Sequence, residues 1–367
     1  MIQYDCGDIF IHVQNYRCFV NPADILQEGH SMKMIEFADS KVSSVCLGTM
    51  MMGTRINREV SFNVLDDFMA RGGNFLDTSN NYSWWWGKGN SAGDESENLL
   101  GEWMETRKNR SNVFLATKFG ARLVHPDKIR DENGAIRWEE AGRDYEGTGR
   151  NTVKKAVEES LRRLKTDYID LYYIHVDDRS VPLEETLEAL ADIVKEGKVR
   201  YIGCSNMRSW RLAEAGEICR RNNYPFFSAV EQEYSYIRPG IEADRGVTLH
   251  ADDELFDYIK SHPGVKLVAY SPLLKGVFSG REQRENYYDW KNFNNGESLE
   301  RIHVIENMSK DMGITGNQLV MAWMIQKSPL VIPIIGFSRM EQYNENIAAL
   351  DITLSREQLE ILHAGRI

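Results

Sequence analysis

Gly73-Asn74-Phe75-Leu76-Asp77-Thr78-Ser79-Asn80-Asn81-Tyr82 reads as a buried strand that stops on an acid and passes into a polar loop carrying a phenol. Phe75 and Leu76 form the apolar run, Asp77 sits at its tip, and Tyr82 hangs from the loop just beyond. A short apolar run bounded by turn residues suits a strand covered on both faces, as in a parallel sheet. The same pattern repeats in both directions. Upstream, residues 35–38 and 42–47 flank a polar turn and read as a hairpin running into a first strand, which Gly48-Thr49 ends. Asn57 can cap a helix over residues 58–71, with Val60, Val64, Leu65 and Phe68 on one face and Gly72-Gly73 as the stop.

Downstream, Asp94 can cap a helix over residues 95–106, and residues 112–118 form a third strand. Residues 151–165 are amphipathic at helical spacing, with Val153, Ala156, Val157, Leu161 and Leu164 on one face. Residues 169–175 are the fourth strand. Strands follow at 199–205, 227–232, 265–271 and 330–335, alternating with helices at 183–196, 208–221, 252–261, 297–312 and 315–327. Helices at 340–350 and 356–364 finish the chain. Three long loops, after the third, sixth and seventh strands, show no readable period.

Eight short strands alternating with helices predict an α/β fold with a parallel sheet, and closure into a (β/α)8 TIM barrel fits the count and the length. The expected organisation is an N-terminal extension at residues 1–33, then one barrel domain over residues 34–367 with an N-terminal β-hairpin cap and C-terminal helices. A doubly wound open sheet is the alternative. It is disfavoured because Gly48-Thr49-Met50-Met51-Met52-Gly53 lacks the glycine spacing of a dinucleotide-binding turn.

The balance of 55 acidic against 44 basic residues argues against a nucleic-acid partner, which needs clustered positive charge. The five cysteines form no CxxC pair and are odd in number, which suits free thiols in a reducing compartment. Cys6, His12 and Cys18 are too widely spaced for a usual zinc motif, so no metal is expected. No apolar run is long enough to span a bilayer, and Asp5, Asp8, Arg17 and Asp24 interrupt any secretory core. The expectation is a cytoplasmic protein without a membrane partner; its oligomeric state is not predicted.

Sites in such barrels gather where strands end. Asp77, Lys118 and His175 close three consecutive predicted strands, so their side chains can converge with Tyr82. A free phenol has a pKa near ~10, and a neighbouring ammonium is expected to lower it. The carboxylate would hold the lysine charged, and the histidine would donate a hydrogen bond to a carbonyl oxygen. Each residue alone has a plain structural reading: a cap for Asp77, a surface charge for Lys118, a satisfied buried group for His175. Their coincidence at successive strand ends favours chemistry.

These residues carry a resemblance to the aldo-keto reductase family. It rests on Asp77-Thr78-Ser79-Asn80-Asn81-Tyr82, Ala116-Thr117-Lys118, Ser160-Leu161-Arg162-Arg163-Leu164, the run from Asp167 to His175, and the run from Gly197 to Asn206. The resemblance implies a reductase that transfers hydride from a nicotinamide cofactor to a small-molecule carbonyl substrate. In it Tyr82 is the proton donor, Asp77 and Lys118 tune it, and His175 orients the carbonyl. It also implies cofactor contacts from Gly48, Thr49 and Asp77, a carboxamide site from Ser205, Asn206 and Gln232, and stacking by Tyr270. Ser271, Leu273, Gly276 and Arg281 would hold the pyrophosphate, and Gly336, Ser338, Arg339, Gln342, Glu345 and Asn346 the adenosine end. Two basic residues expected around a 2′-phosphate are replaced by Gly336 and Gln342. Arg339 can substitute, since guanidinium pairs with phosphate bidentately, so NADP is expected in preference to NAD. Ser79 stands where the family usually has alanine. Trp84 and Trp85, with Trp86 and a Gly-rich run reaching Gly93, are expected at the substrate mouth, where aromatic faces meet a sugar or a flat carbonyl compound. Packing of the tryptophans against residues 1–33 is the rival reading. A cofactor-binding regulatory subunit similar to channel beta subunits is the alternative function, and a sugar isomerase lacks the ligand cluster it would need.

Overall fold

The computed structural model describes residues 32–86, 93–327 and 330–365. The expected extension up to residue 31, the Cys6, His12 and Cys18 set, and the Gly-rich run at 87–92 lie outside the described residues. Among the described residues there are ten strands: β1 (Met34–Phe37), β2 (Ser40–Ser43), β3 (Cys46–Gly48), β4 (Phe75–Asp77), β5 (Phe114–Phe119), β6 (Ile169–Ile174), β7 (Val199–Ser205), β8 (Ala229–Glu233), β9 (Lys266–Tyr270) and β10 (Val331–Ile335). β1 and β2 make an antiparallel hairpin, and β3 to β10 close a parallel barrel in chain order, β10 returning to β3. The expected (β/α)8 barrel with a hairpin cap is the architecture found.

Helices α1 (Arg58–Ala70), α2 (Glu95–Arg107), α4 (Arg150–Leu164), α5 (Leu183–Lys195), α6 (Ser209–Asn222), α7 (Asp253–Ser261), α10 (Gly296–Met312), α11 (Gly316–Ile325) and α12 (Met340–Ala348) surround it, with α13 (Arg356–Ala364) at the end. Short helices α3 (Trp138–Ala141), α8 (Arg281–Glu285) and α9 (Trp290–Phe293) lie in the long loops, too brief to show a period in sequence. Asn57 caps α1 as expected, its side chain accepting from the Val60 N–H. Asp94 does not cap α2; its backbone is already helical, and its carboxylate is drawn to Arg122 and Arg163 instead.

Strand alternation divides the apolar residues into two layers. Phe75, Phe114, Ala116, Leu171, Tyr173, Ala229, Val268 and Ile332 fill the barrel interior. Phe37 of the hairpin joins them, its ring 5.1 Å from Phe114 and 6.2 Å from Phe75, and plugs the end where the strands begin. The outer layer packs strands onto helices, for example Leu76 and Leu115 with Leu100, Trp103 and Leu161. No helix among the described residues is long and apolar enough to cross a membrane. Cys46, Cys204 and Cys219 are buried free thiols.

Close contact of α2 with α4 depends on Gly101. A Cβ there would meet the Arg163 carbonyl oxygen at 2.2 Å and Leu164 backbone at 2.8 Å, and backbone cannot step aside as a side chain can. Gly101→Ala should therefore lower stability by about 1–3 kcal/mol or more, read as a shift in the urea midpoint.

Candidate active site

With the opposite end plugged, polar residues collect where the strands finish. Register sets Gly48 beside Asp77, Asp77 beside Ala116, and Lys118 beside Tyr173. Asp77 closes β4, Lys118 stands one residue inside the end of β5, and His175 one residue beyond β6, so all three face the same end. Thr49 braces the first of them: its N–H and its hydroxyl both donate to the Asp77 carbonyl oxygen, at 2.9 and 2.8 Å.

Lys118 is the hub, with its ammonium fully buried. Nζ donates to Asp77 Oδ1 and Oδ2 at 2.6 and 2.7 Å, to Tyr82 Oη at 2.6 Å, and to the Thr78 carbonyl at 3.0 Å. Tyr82 in turn donates to Asp77 Oδ2 at 2.9 Å. Burial alone would lower the Lys118 pKa, but Asp77 and Glu231 outweigh it and raise it, so the ammonium stays charged.

Glu231 was not anticipated from the sequence. Its Oε2 lies 3.3 Å from Lys118 Nζ, yet accepts no hydrogen bond. The three lysine protons are already directed at Asp77, Tyr82 and Thr78. Burial first, and then Asp77, push the Glu231 carboxyl up to about 8. Period two along β8 is the signal that finds it: Ala229 belongs to the interior cluster, so Glu231 shares its face, while Val230 and Gln232 alternate away. Gln232, the expected residue, is buried with its Oε1 unpartnered.

The acidity of Tyr82 differs from the expectation. The phenol is raised well above its ordinary pKa, by burial first and then by Asp77 and Glu231. One ammonium does not offset desolvation and two carboxylates, so the anticipated lowering does not occur. Burial and the Lys118 charge push His175 down to about 3, which keeps its ring neutral.

Asn81 and Ser79 anchor His175. Asn81 Nδ2 donates to the Ala121 carbonyl at 2.8 Å, which leaves Oδ1 to accept from Ser79 Oγ at 2.8 Å. Ser79 Oγ also lies 3.1 Å from His175 Nδ1.

The expected cofactor residues fall into separate groups. Tyr270 donates to Asn206 Oδ1 at 2.8 Å, and Asn206 Nδ2 to Ser205 Oγ at 3.1 Å, so these three meet at the ends of β7 and β9. Ser271, Leu274, Lys275 and Gly276 all have positive φ, and the curl is closed by the Leu274 N–H donating to the Ser271 carbonyl at 3.0 Å and the Gly276 N–H to the Leu273 carbonyl at 2.8 Å. Arg281 is exposed and held by Glu285 at 2.7 Å. After β10, Gln342 accepts from the N–H and the hydroxyl of Ser338, and Asn346 donates to the Gly336 carbonyl. Glu345 accepts from Thr315 at 2.6 Å. Arg339 is exposed and, among the described residues, pairs with no acid.

Trp84 is placed inside rather than at a mouth. It is 5 % exposed and packs with Leu123, Ile129 and Ala141 under the loop after β5, its ring 5.5 Å from Trp138. Trp85 is half-buried against it, and Trp86 is exposed. Among the described residues no group of three or more His, Cys, Asp or Glu side chains could hold a metal ion.

A closed parallel barrel with this cluster at its strand ends defines a barrel oxidoreductase. The chain belongs to the aldo/keto reductase family, whose profile matches residues 44–365. It is thus an NAD(P)-dependent oxidoreductase acting on carbonyls. It is 30% identical over 349 residues to norsolorinic acid reductase B of Dothistroma septosporum, covering 92% of this chain and 81% of that protein. It is likewise 30% identical to the uncharacterized oxidoreductase YrpG of Bacillus subtilis, covering 88% and 92% respectively. Among solved structures it resembles the thermostable aldo-keto reductase Tm1743, crystallised with the inhibitor epalrestat, at TM-score 0.64 and 25% identity, over 91% of this chain and 100% of that one.

Alkaline ultraviolet titration, taken as the difference between wild type and Tyr82→Phe, should place Tyr82 ionisation above that of an ordinary tyrosine. The same difference in a Glu231→Gln background should move it down by about one unit or more, because one of the two carboxylates is gone.

Proposed function

We propose that this protein reduces an aldehyde or ketone with NADPH, with Tyr82 delivering the proton to the carbonyl oxygen. The observation that carries the reading is the shared geometry of Tyr82 Oη, which donates to Asp77 at 2.9 Å and accepts from Lys118 at 2.6 Å. The oxygen is thereby held in one position with its proton mobile between defined partners. A raised pKa does not disqualify the donor. A carbonyl oxygen receiving hydride develops alkoxide character, far more basic than any phenol, so proton transfer from Tyr82 remains downhill. The raised value also keeps Tyr82 protonated across neutral pH, and Lys118 stabilises the phenolate left behind.

Nicotinamide chemistry, when the cofactor is bound, supplies the hydride. The residues present suit such a group. Tyr270 offers an aromatic face beside Ser205 and Asn206, and Arg339 is an unpaired cation near the start of α12. That unpaired guanidinium supports NADPH over NADH.

The loops at the strand ends support an apolar or aromatic substrate over a sugar. Trp86, Val124, Trp138, Ile241, Val247 and Tyr288 are large exposed apolar residues, and all six lie on those loops. An apolar rim of this kind favours flat hydrophobic carbonyl compounds.

Tyr82→Phe should lower kcat for carbonyl reduction roughly a hundredfold to ten-thousandfold while leaving the Kd for NADPH unchanged; retention of full rate on the best substrate would refute the assignment. Arg339→Ala should raise the KM for NADPH by about tenfold and leave that for NADH where it is.

A further inference from the structure

Glu231 is a second buried acid that the proton chemistry of Tyr82 does not use. Its Oε2 lies 3.3 Å from Lys118 Nζ and accepts no hydrogen bond among the described residues. Lys118 directs its three protons at Asp77, Tyr82 and the Thr78 carbonyl. Asp77 and Glu231 therefore share one ammonium, and Glu231 is the worse held of the two. With both carboxyls ionised, the buried cluster has more negative charge than positive, which apolar surroundings resist.

Two arrangements remove the excess. Glu231 can take up a proton, and it then becomes a donor to Asp77. Alternatively, a cation can settle beside it. The other titratable groups that face Glu231 do not provide either. Cys46 on β3, Tyr173 on β6 and Tyr82 are each raised well above their ordinary values, by burial first and then by the two carboxylates, so all three stay neutral. His175 is kept neutral by burial and Lys118. Tyr270 on β9 holds its proton through burial first, then Glu233 and Glu231, which sets Glu231 within electrostatic reach of that ring.

The place of Glu231 in the barrel selects the cation. On the reading above, Ser205, Asn206 and Tyr270 hold the nicotinamide end of the cofactor, from the ends of β7 and β9. β8 runs between those strands, with Glu231 paired to Ser205 on one side and to Val268 on the other. The Asn206 N–H donates to the Glu231 carbonyl at 3.1 Å. Glu231 thus stands between the groups assigned to the ring and the Lys118 cluster. A nicotinamide ring is uncharged when reduced and cationic when oxidised.

We propose that Glu231 discriminates between the two redox forms of the cofactor, facing the cationic oxidised ring as a carboxylate and the uncharged reduced ring as a neutral carboxyl. The cluster then holds no excess charge with either form, and one proton leaves Glu231 for solvent when the oxidised form binds. Burial and Asp77, which push the Glu231 carboxyl up to about 8, bring this exchange close to neutral pH. Below that value a rise in pH favours the carboxylate, so affinity for the oxidised form rises with pH. This discrimination rests on the reductase reading above and concerns which cofactor form the site holds.

Kd for NADPH and for NADP+ is measured on the full-length protein by quenching of tryptophan fluorescence, across about pH 6–8. Titration of the cofactor's 2′-phosphate is common to both forms and cancels in their ratio. In wild type the ratio of Kd for NADP+ to Kd for NADPH should fall as pH rises, by up to about tenfold per unit. Glu231→Gln should flatten that slope and, at about pH 8, raise the ratio about tenfold over wild type. Calorimetry of wild type in two buffers of different ionisation heat counts protons without any variant. Near neutral pH, NADP+ should release up to about one proton more than NADPH does. A pH-independent ratio in wild type, equal proton release by the two forms, or an unchanged slope in Glu231→Gln overturns the assignment. If neither form binds, the reductase reading itself fails and this assignment falls with it.

Discussion

A single ammonium buried at the end of β5 organises this molecule. Lys118 is fully enclosed, and taking such an ion out of water costs several kcal/mol that only close opposite charge can offset. Asp77 offsets it from β4 and Glu231 from β8, at 2.6 and 3.3 Å. These strands are far apart in sequence, and only barrel closure brings them onto one amine. The apolar interior beneath, sealed by Phe37, excludes the water that would otherwise weaken each contact. Fold and site are thus coupled: the barrel supplies the low dielectric, and the ion cluster is tolerated because the register of β4, β5 and β8 places the charges correctly.

The same logic extends to the groups around the lysine. Burial first, and then Asp77 and Glu231, make Tyr82 hold its proton more tightly. His175, on the other side, is kept neutral by burial first and then by the same ammonium. Burial and the carboxylates hold Tyr82 protonated, while burial, with the Lys118 charge added, holds His175 neutral. The Asn81–Ser79 pair then anchors the imidazole through Nδ1.

Much of this was legible from residues alone. Asp77, Tyr82, Lys118 and His175 announce themselves because apolar strands ending in polar residues are a local pattern, and the barrel rule says where such ends meet. What was not legible depends on neighbours distant in sequence. Glu231 lies within the expected strand at 227–232 rather than at its tip, so no local pattern marks it; counting in steps of two from Ala229 finds it and sets Gln232 on the other face. The Tyr82 acidity differs from the expectation because burial, the largest cause, acts together with Asp77 and Glu231 against the single ammonium. Asp94 has the right identity and spacing for a cap, but Arg122 and Arg163 compete for it. Trp84 belongs to a small satellite core whose other members, Leu123, Ile129 and Ala141, lie in a loop with no period to reveal them.

The account stands on Lys118 as the charge that holds Tyr82 ready. The most direct measurement is single-turnover oxidation of bound NADPH by a carbonyl substrate in Lys118→Met, with the cofactor Kd measured on the same protein. The account predicts that NADPH still binds and that its oxidation slows by roughly a hundredfold or more. Oxidation at the wild-type rate by a folded, cofactor-bound Lys118→Met protein would contradict it.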